Sequence, residues 1–239
     1  MHIRLLFSDN SDRMMPTLKR VISTSTAISK EHCEKFKSRF GIPVSQAYGI
    51  IEIGLPIINF EKSELYPEAV GYALPDYNVE MLDENGTILP VGQLGHLAIC
   101  GPGMLDGYLN PPATRDQILK NGWFLTGDLA SKLEDGLIRI EGRLKSMINV
   151  AGNKVFPEEV ETILNKHPYI KESKVSGYTH PLLGESVRAE IVLQQGFSQP
   201  DIEELRRFCR KYLSAYKVPQ QFIFVEDLPM TGSGKMKRD

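Results

Sequence analysis

Residues 147–167, MINVAGNKVFPEEVETILNKH, set the architecture of the last third of the chain. Met147–Val155 is a short apolar stretch carrying a glycine, which reads as a strand. Val160, Ile163, Leu164 and His167 then fall at i, i+3, i+4 and i+7, and Pro157 suits a first helical turn, so 157–167 is predicted helical. Downstream, residues 170–179 read as a strand. Residues 186–194 read as another, with Val187, Ala189, Ile191 and Leu193 on one face. A second helix follows Pro200, its buried stripe formed by Ile202, Leu205, Phe208, Cys209, Tyr212 and Leu213. Gln221–Val225 closes the series as a strand. The order β-α-β-β-α-β predicts a small α+β domain of the split βαβ kind over residues 146–239.

Upstream the pattern changes. Residues 70–143 are β-rich: Asn78–Leu82, Gly95–Cys100, Phe124–Ala130 and Leu137–Glu141 are strand candidates. Asp83-Glu84-Asn85-Gly86 is a hairpin turn signal, and glycines and prolines punctuate the intervals, as expected of a distorted β-barrel. Residues 19–48 give strand (Arg20–Thr26), helix (Ser29–Phe40, with Ser29 as cap) and strand (Val44–Ala47), a single βαβ unit within 19–60. A parallel sheet needs several such units to cover both faces, so residues 1–145 are expected to be an incomplete part of a larger domain. The fold class is therefore α/β and α+β: a partial βαβ sheet and a barrel-like region, then a small βαββαβ domain.

Composition narrows the function classes. The 239 residues include 41% apolar and 24% charged residues with a net charge of −2, ordinary values for a globular protein. Acids and bases are interspersed, so neither nucleic acid nor an anionic membrane surface is an expected partner. No apolar run reaches the roughly 18–20 residues of a membrane span, and the apolar part of the first seven residues is too short for a secretory signal. Cys33, Cys100 and Cys209 lie far apart and read as reduced thiols in a cytoplasmic protein. The five histidines have no metal-ligand spacing, which sets aside metal hydrolase chemistry.

Four short segments are candidates for chemistry. Gln46-Ala47-Tyr48-Gly49-Ile50-Ile51-Glu52 runs from a strand through an aromatic ring and a glycine to a carboxylate. Gly122-Trp123-Phe124-Leu125-Thr126-Gly127-Asp128 sets the only tryptophan beside a glycine-flanked aspartate. Gly142-Arg143-Leu144-Lys145-Ser146 precedes Gly152, and Pro229-Met230-Thr231-Gly232-Ser233-Gly234-Lys235 presents a lysine on a glycine loop. Singly they also read as a sheet edge, a β-turn, a solvated linker and a frayed tail.

In order and spacing, the four together resemble the adenylate-forming superfamily: acyl- and aryl-CoA synthetases, firefly luciferase and the adenylation domains of peptide synthetases. The resemblance runs from about residue 19 to the end. It implies an enzyme that converts a carboxylic acid and ATP to acyl-adenylate and pyrophosphate, then passes the acyl group to coenzyme A. The resemblance assigns cofactor binding to Tyr48, Gly49, Glu52, Asp128, Arg143, Lys145 and Gly152. Tyr48 would stack on adenine, and Asp128 would accept from both ribose hydroxyls. Glu52 would be the Mg2+ ligand, and Arg143 would contact ribose or phosphate oxygens. Lys235 would be catalytic, stabilising charge on the α-phosphate and carboxylate oxygens of ATP and acid. Lys145 matches a hinge about which the small domain turns to bring the region of Gly152 to the thioester site. Residues 149–161 look more like a fatty or aromatic acyl-CoA synthetase than a peptide synthetase domain.

The pattern departs from the family in places. Ile51 stands where relatives have a threonine that bonds phosphate, and Ser23–Ala27 stands where many have a glycine- and alanine-rich loop beside adenine. No segment fits the family's Ser/Thr/Gly-rich phosphate loop ending in lysine, nor most of its acyl pocket. The chain is thus expected to be a C-terminal portion, inactive alone, with a missing N-terminal half or another copy covering residues 1–60. A non-catalytic relative, and an adenylation domain loading a carrier-protein thiol instead of CoA, are the competing readings. Ile50 and Ile51 either border an acyl chain or pack in a core.

Overall fold

The computed structural model describes residues 17–24, 27–229 and 236, and the chain divides into two compact units between Glu141 and Gly142. The first begins with β1 (Val21–Ser23), α1 (Lys30–Phe40) and β2 (Val44–Ile50), a crossover whose two strands are parallel, with Val21 beside Val44. Ser29 caps α1 by accepting from the His32 N–H, and Gly41 at φ 72° ends it with its own N–H on the Lys37 carbonyl. The helix lays Cys33, Phe36 and Phe40 against Val44 as a small buried cluster. Ile22, Leu55 and Phe60 keep exposed faces.

After β2 the sheet continues through β3 (Gly54–Ile58) and β4 (Tyr72–Ala73), in the order β1-β2-β3-β4. Then come β5 (Asn78–Leu82), β6 (Gly95–Cys100), the hairpin strands β7 (Gly107–Leu109) and β8 (Pro112–Thr114), the single turn α2 (Arg115–Ile118), β9 (Phe124–Lys132) and β10 (Ile138–Arg143). The barrel-like region takes the form of an antiparallel sheet in the order β10-β9-β6-β5. Its edge meets the first sheet where Gly71 bridges Ile138, the Ile138 N–H donating to the Gly71 carbonyl at 2.8 Å and the Val70 N–H to the Ile138 carbonyl at 3.0 Å. One core spans the two sheets, with Ile53 and Ile57 packed in the same cluster as Leu97, Ile99 and Ile138.

The second unit contains β11 (Ile148–Val150), β12 (Asn153–Val155), α3 (Pro157–Leu164), β13 (Ile170–His180), β14 (Gly184–Leu193), α4 (Ile202–Arg210) and β15 (Gln221–Phe224). The sheet order is β12-β11-β14-β13, and β15 runs parallel to β14. Val160 and Leu164 of α3 and Leu205 and Cys209 of α4 share one core with Val187, Ala189 and Ile191 of β14.

Three local expectations are corrected. Met147–Val155 is not one strand but a hairpin, turning at Ala151 and Gly152, both with positive φ. The helix beginning at Pro157 stops at Leu164, before His167, because Asn165 already takes a capping role. The stripe after Pro200 is narrower than its spacing suggests: Ile202 and Tyr212 are exposed, and only Leu205, Cys209 and Leu213 are buried. A helix on one face of a sheet buries a limited arc, and Tyr212 lies on its flank, 5.5 Å from the Phe208 ring.

His167 is buried all the same, edge-on to Tyr169 at 5.1 Å and to Phe208 at 4.9 Å. Burial pulls its pKa below the ordinary 6.5, with Glu204 opposing. A neutral imidazole favours the fold fully above that ordinary value, and the contribution is lost as pH falls through it toward the lower folded value. Urea midpoints should therefore fall between about pH 7 and 5. In His167→Phe, which retains the aromatic packing, the fall should be shallower; equal slopes would refute the assignment.

Cys33 and Cys209 are buried, and desolvation raises both thiols to about 11, so neither is a ready thiolate. Among the described residues, no helix is long and apolar enough to cross a membrane.

Candidate functional site

Asp128 and Tyr48 come from motifs eighty residues apart, and the fold joins them: the Tyr48 hydroxyl donates to the Asp128 carboxylate. The local reason on β9 is a bulge. His96 pairs with Leu129 and Ala98 with Leu125, so Thr126, Gly127 and Asp128 all stand opposite Leu97. Gly127 adopts φ 78°, a left-handed conformation that side chains resist. Thr126 completes the distortion: its hydroxyl donates to the Leu97 carbonyl at 3.1 Å and accepts from the Asp128 N–H at 3.1 Å. Asp128 is held 3% exposed at this kink.

On β2, Tyr48 is partly buried and packs against the shared core. The ladder to β3 is irregular just beyond it, between Tyr48 and Ile50. Gly49 lies at that irregularity, where a Cβ would come within 2.7 Å of the Gly54 carbonyl oxygen, so the close approach of the two strands requires glycine there.

Two residues before Tyr48, the buried Gln46 amide ties the α1 approach to this strand. It accepts from the Ile28 N–H at 3.0 Å and donates to the Ile28 carbonyl at 3.1 Å and the Pro67 carbonyl at 2.5 Å.

Glu52 sits in the turn after β2, half-buried, and accepts from the Tyr108 hydroxyl at 3.0 Å. Its neighbour Ile51 is 95% exposed. Among the described residues, no group of three or more His, Cys, Asp or Glu is placed to hold a metal ion. A single accessible carboxylate suits magnesium, which commonly binds through one or two carboxylates and the oxygens of a phosphate substrate. The donor set therefore fits that ion.

In the second unit, Arg143 ends β10, and Lys145 lies in the one-turn 3-10 segment Leu144–Ser146; both are exposed. Gly152, at φ 86°, forms the exposed tip of the β11–β12 hairpin, where its N–H donates to the Asn149 side chain at 2.8 Å. Lys235 lies outside the described residues. Of the expected site residues, the fold thus brings Tyr48 and Asp128 into contact and gives Glu52 a partner, Tyr108, that sequence reasoning missed. The signal for Tyr108 was an aromatic ring isolated among the turn formers of Asp106-Gly107-Tyr108 and Asn110-Pro111-Pro112. For Thr126 it was a hydroxyl two residues before a glycine-flanked aspartate.

Two family models match the chain: AMP-binding enzyme over residues 2–109 and AMP-binding enzyme C-terminal domain over residues 159–235. The chain belongs to the adenylate-forming superfamily. Among its relatives, the mitochondrial acyl-coenzyme A synthetase ACSM3 of Rattus norvegicus is 35% identical over 98% of this chain and 42% of its own length. A long-chain-fatty-acid–CoA ligase of Yersinia pestis is 34% identical over 93% of this chain and 39% of its own. The crystal structure of an ATP-bound RpMatB-BxBclM chimera, B1, superposes with a TM-score of 0.87 at 31% identity, covering 98% of this chain and 47% of that one. The chain therefore spans about two fifths of the length of the curated relatives it matches.

Proposed function

We propose that the chain carries the nucleotide side of an AMP-forming acid–thiol ligase. The whole protein would activate a carboxylic acid, fatty or aromatic, as its adenylate and transfer the acyl group to coenzyme A. The contact between Tyr48 and Asp128 carries this reading. A buried carboxylate fixed beside a partly exposed aromatic ring is an arrangement that can accept from ribose hydroxyls while the ring lies against a base.

In this reading Asp128 orients the ribose, and the β9 bulge keeps its carboxylate from turning away. Arg143 contributes positive charge toward ribose or phosphate oxygens. Glu52 would hold magnesium, which when bound offsets the phosphate charge. Lys235 would stabilise the charge that builds as the acid's carboxylate attacks the α-phosphate and pyrophosphate leaves. Lys145 serves as the pivot and Gly152 as part of the face presented for thioester formation. The domain boundary in this reading falls at 145/146. The names of the rat and Yersinia relatives favour coenzyme A over a carrier protein as acceptor. A missing N-terminal half, or another copy, would supply the phosphate loop and cover the apolar faces of residues 1–60. The rat relative is designated mitochondrial, so the cytoplasmic expectation rests on the three free thiols alone.

Calorimetric titration with AMP tests the reading directly, and saturable binding by the 239-residue chain is expected. The same chain should release no acid-dependent pyrophosphate by itself, since it contains no phosphate-loop segment; turnover would contradict this. A second reading, a non-catalytic relative, is favoured by Ile51, an exposed aliphatic side chain where the family's hydroxyl stands. Absence of AMP binding would select it.

A further inference from the structure

We propose that Tyr108 is a positioning residue for the magnesium-bearing carboxylate of Glu52, an inference that rests on the nucleotide reading above. The two residues are 56 positions apart, and the phenol donates to Glu52 Oε1 at 3.0 Å. The backbone makes the same connection: the Leu105 N–H donates to the Glu52 carbonyl at 2.8 Å. One segment therefore grips both ends of Glu52.

That segment is itself fixed. Met104 is buried in the shared core. Arg115, at the start of α2, donates from its guanidinium to the Met104 carbonyl at 2.6 Å and from its backbone N–H to the Asp106 carbonyl at 2.8 Å. Between these anchors, β7 pairs with β8 and carries Tyr108. A half-exposed glutamate otherwise samples many rotamers, and a metal site with one protein carboxylate depends on that carboxylate being held in place.

The phenol bonds one carboxylate oxygen, so Tyr108 acts by fixing direction rather than by touching the ion. Hydrogen-bonding partners of metal ligands commonly change metal affinity by about 10–100-fold. Tyr108 is partly exposed, so the lower end of that range is expected.

The test compares the 239-residue chain with Tyr108→Phe, Glu52→Gln and the double variant, titrating AMP without divalent ions and ATP at stepped magnesium concentrations. Tyr108→Phe should leave AMP affinity unchanged and raise the magnesium concentration needed for tight ATP binding by about tenfold. Glu52→Gln should abolish the magnesium dependence, and adding Tyr108→Phe to it should change nothing further. Equal loss of AMP and magnesium-ATP affinity in Tyr108→Phe would mark a purely structural role and overturn the proposal. So would an unaltered magnesium response in Tyr108→Phe beside a response lost in Glu52→Gln, and here the nucleotide reading would stand. A native chain whose ATP binding ignores magnesium would overturn the Glu52 reading and this inference together.

Discussion

Replacing Asp128 with asparagine should weaken AMP binding by about 10–100-fold, the loss expected when a charge-assisted acceptor is neutralised, roughly 1.5–3 kcal/mol. Asparagine keeps the shape and one acceptor oxygen, so the bulge at Thr126–Asp128 has no steric reason to rearrange. Its amide also presents donors that clash with the Tyr48 O–H and with ribose hydroxyls when turned toward them. The effect should vanish for a nucleotide lacking the ribose hydroxyls: 2′,3′-dideoxy-AMP should bind the native chain and Asp128→Asn about equally. Calorimetry with the two nucleotides forms a double cycle that isolates the ribose contact. An equal loss for both nucleotides would mean that Asp128 supports the fold of the site and does not touch the sugar.

Gly71→Ala should destabilise the first unit on the order of 4 kcal/mol, at the exceptional end of single substitutions. Gly71 has φ 101°, and a Cβ there would lie 2.1 Å from the Ile58 carbonyl oxygen and 2.3 Å from the Asn59 nitrogen. Both are backbone atoms, so no side-chain rotation relieves the clash. Displacing residue 71 would break its bridge to Ile138, the bridge by which the sheet carrying Tyr48 meets the sheet carrying Asp128. The only tryptophan, Trp123, belongs to the first unit, so its fluorescence in urea reports this loss. A midpoint shift in Gly71→Ala should be accompanied by weaker AMP binding well below the new midpoint. An unchanged midpoint would mean that the backbone between β3 and β4 accommodates a methyl group without losing the bridge to Ile138.

Gly71 also marks a limit of sequence reading. Its neighbours Val70 and Tyr72 are unremarkable strand formers, and nothing within a few residues of it announces a junction between two sheets. The same holds for Gln46, whose three hydrogen bonds reach Ile28 and Pro67. The Ala151-Gly152 turn was hidden for another reason: an alanine at φ 50° offers no turn signal, so the hairpin reads as one strand.

By contrast, the sequence determined what depends on neighbours along the chain. The crossover of β1, α1 and β2, the Ser29 cap, the strands Asn78–Leu82 and Gly95–Cys100, and the αββαβ order from Pro157 onward follow from local periodicity, capping and turn chemistry. The four ordered motifs likewise carry family membership as a pattern of residue types and intervals. Tertiary structure alone decided which side chains meet. Whether Asp128 faces Tyr48 turns on the extra residues in one strand of a ladder, and a single-residue slip in a strand sends each side chain to the opposite face. Tyr108 meets Glu52 only because a core methionine and an arginine anchor the intervening hairpin, a long-range constraint that leaves no local trace.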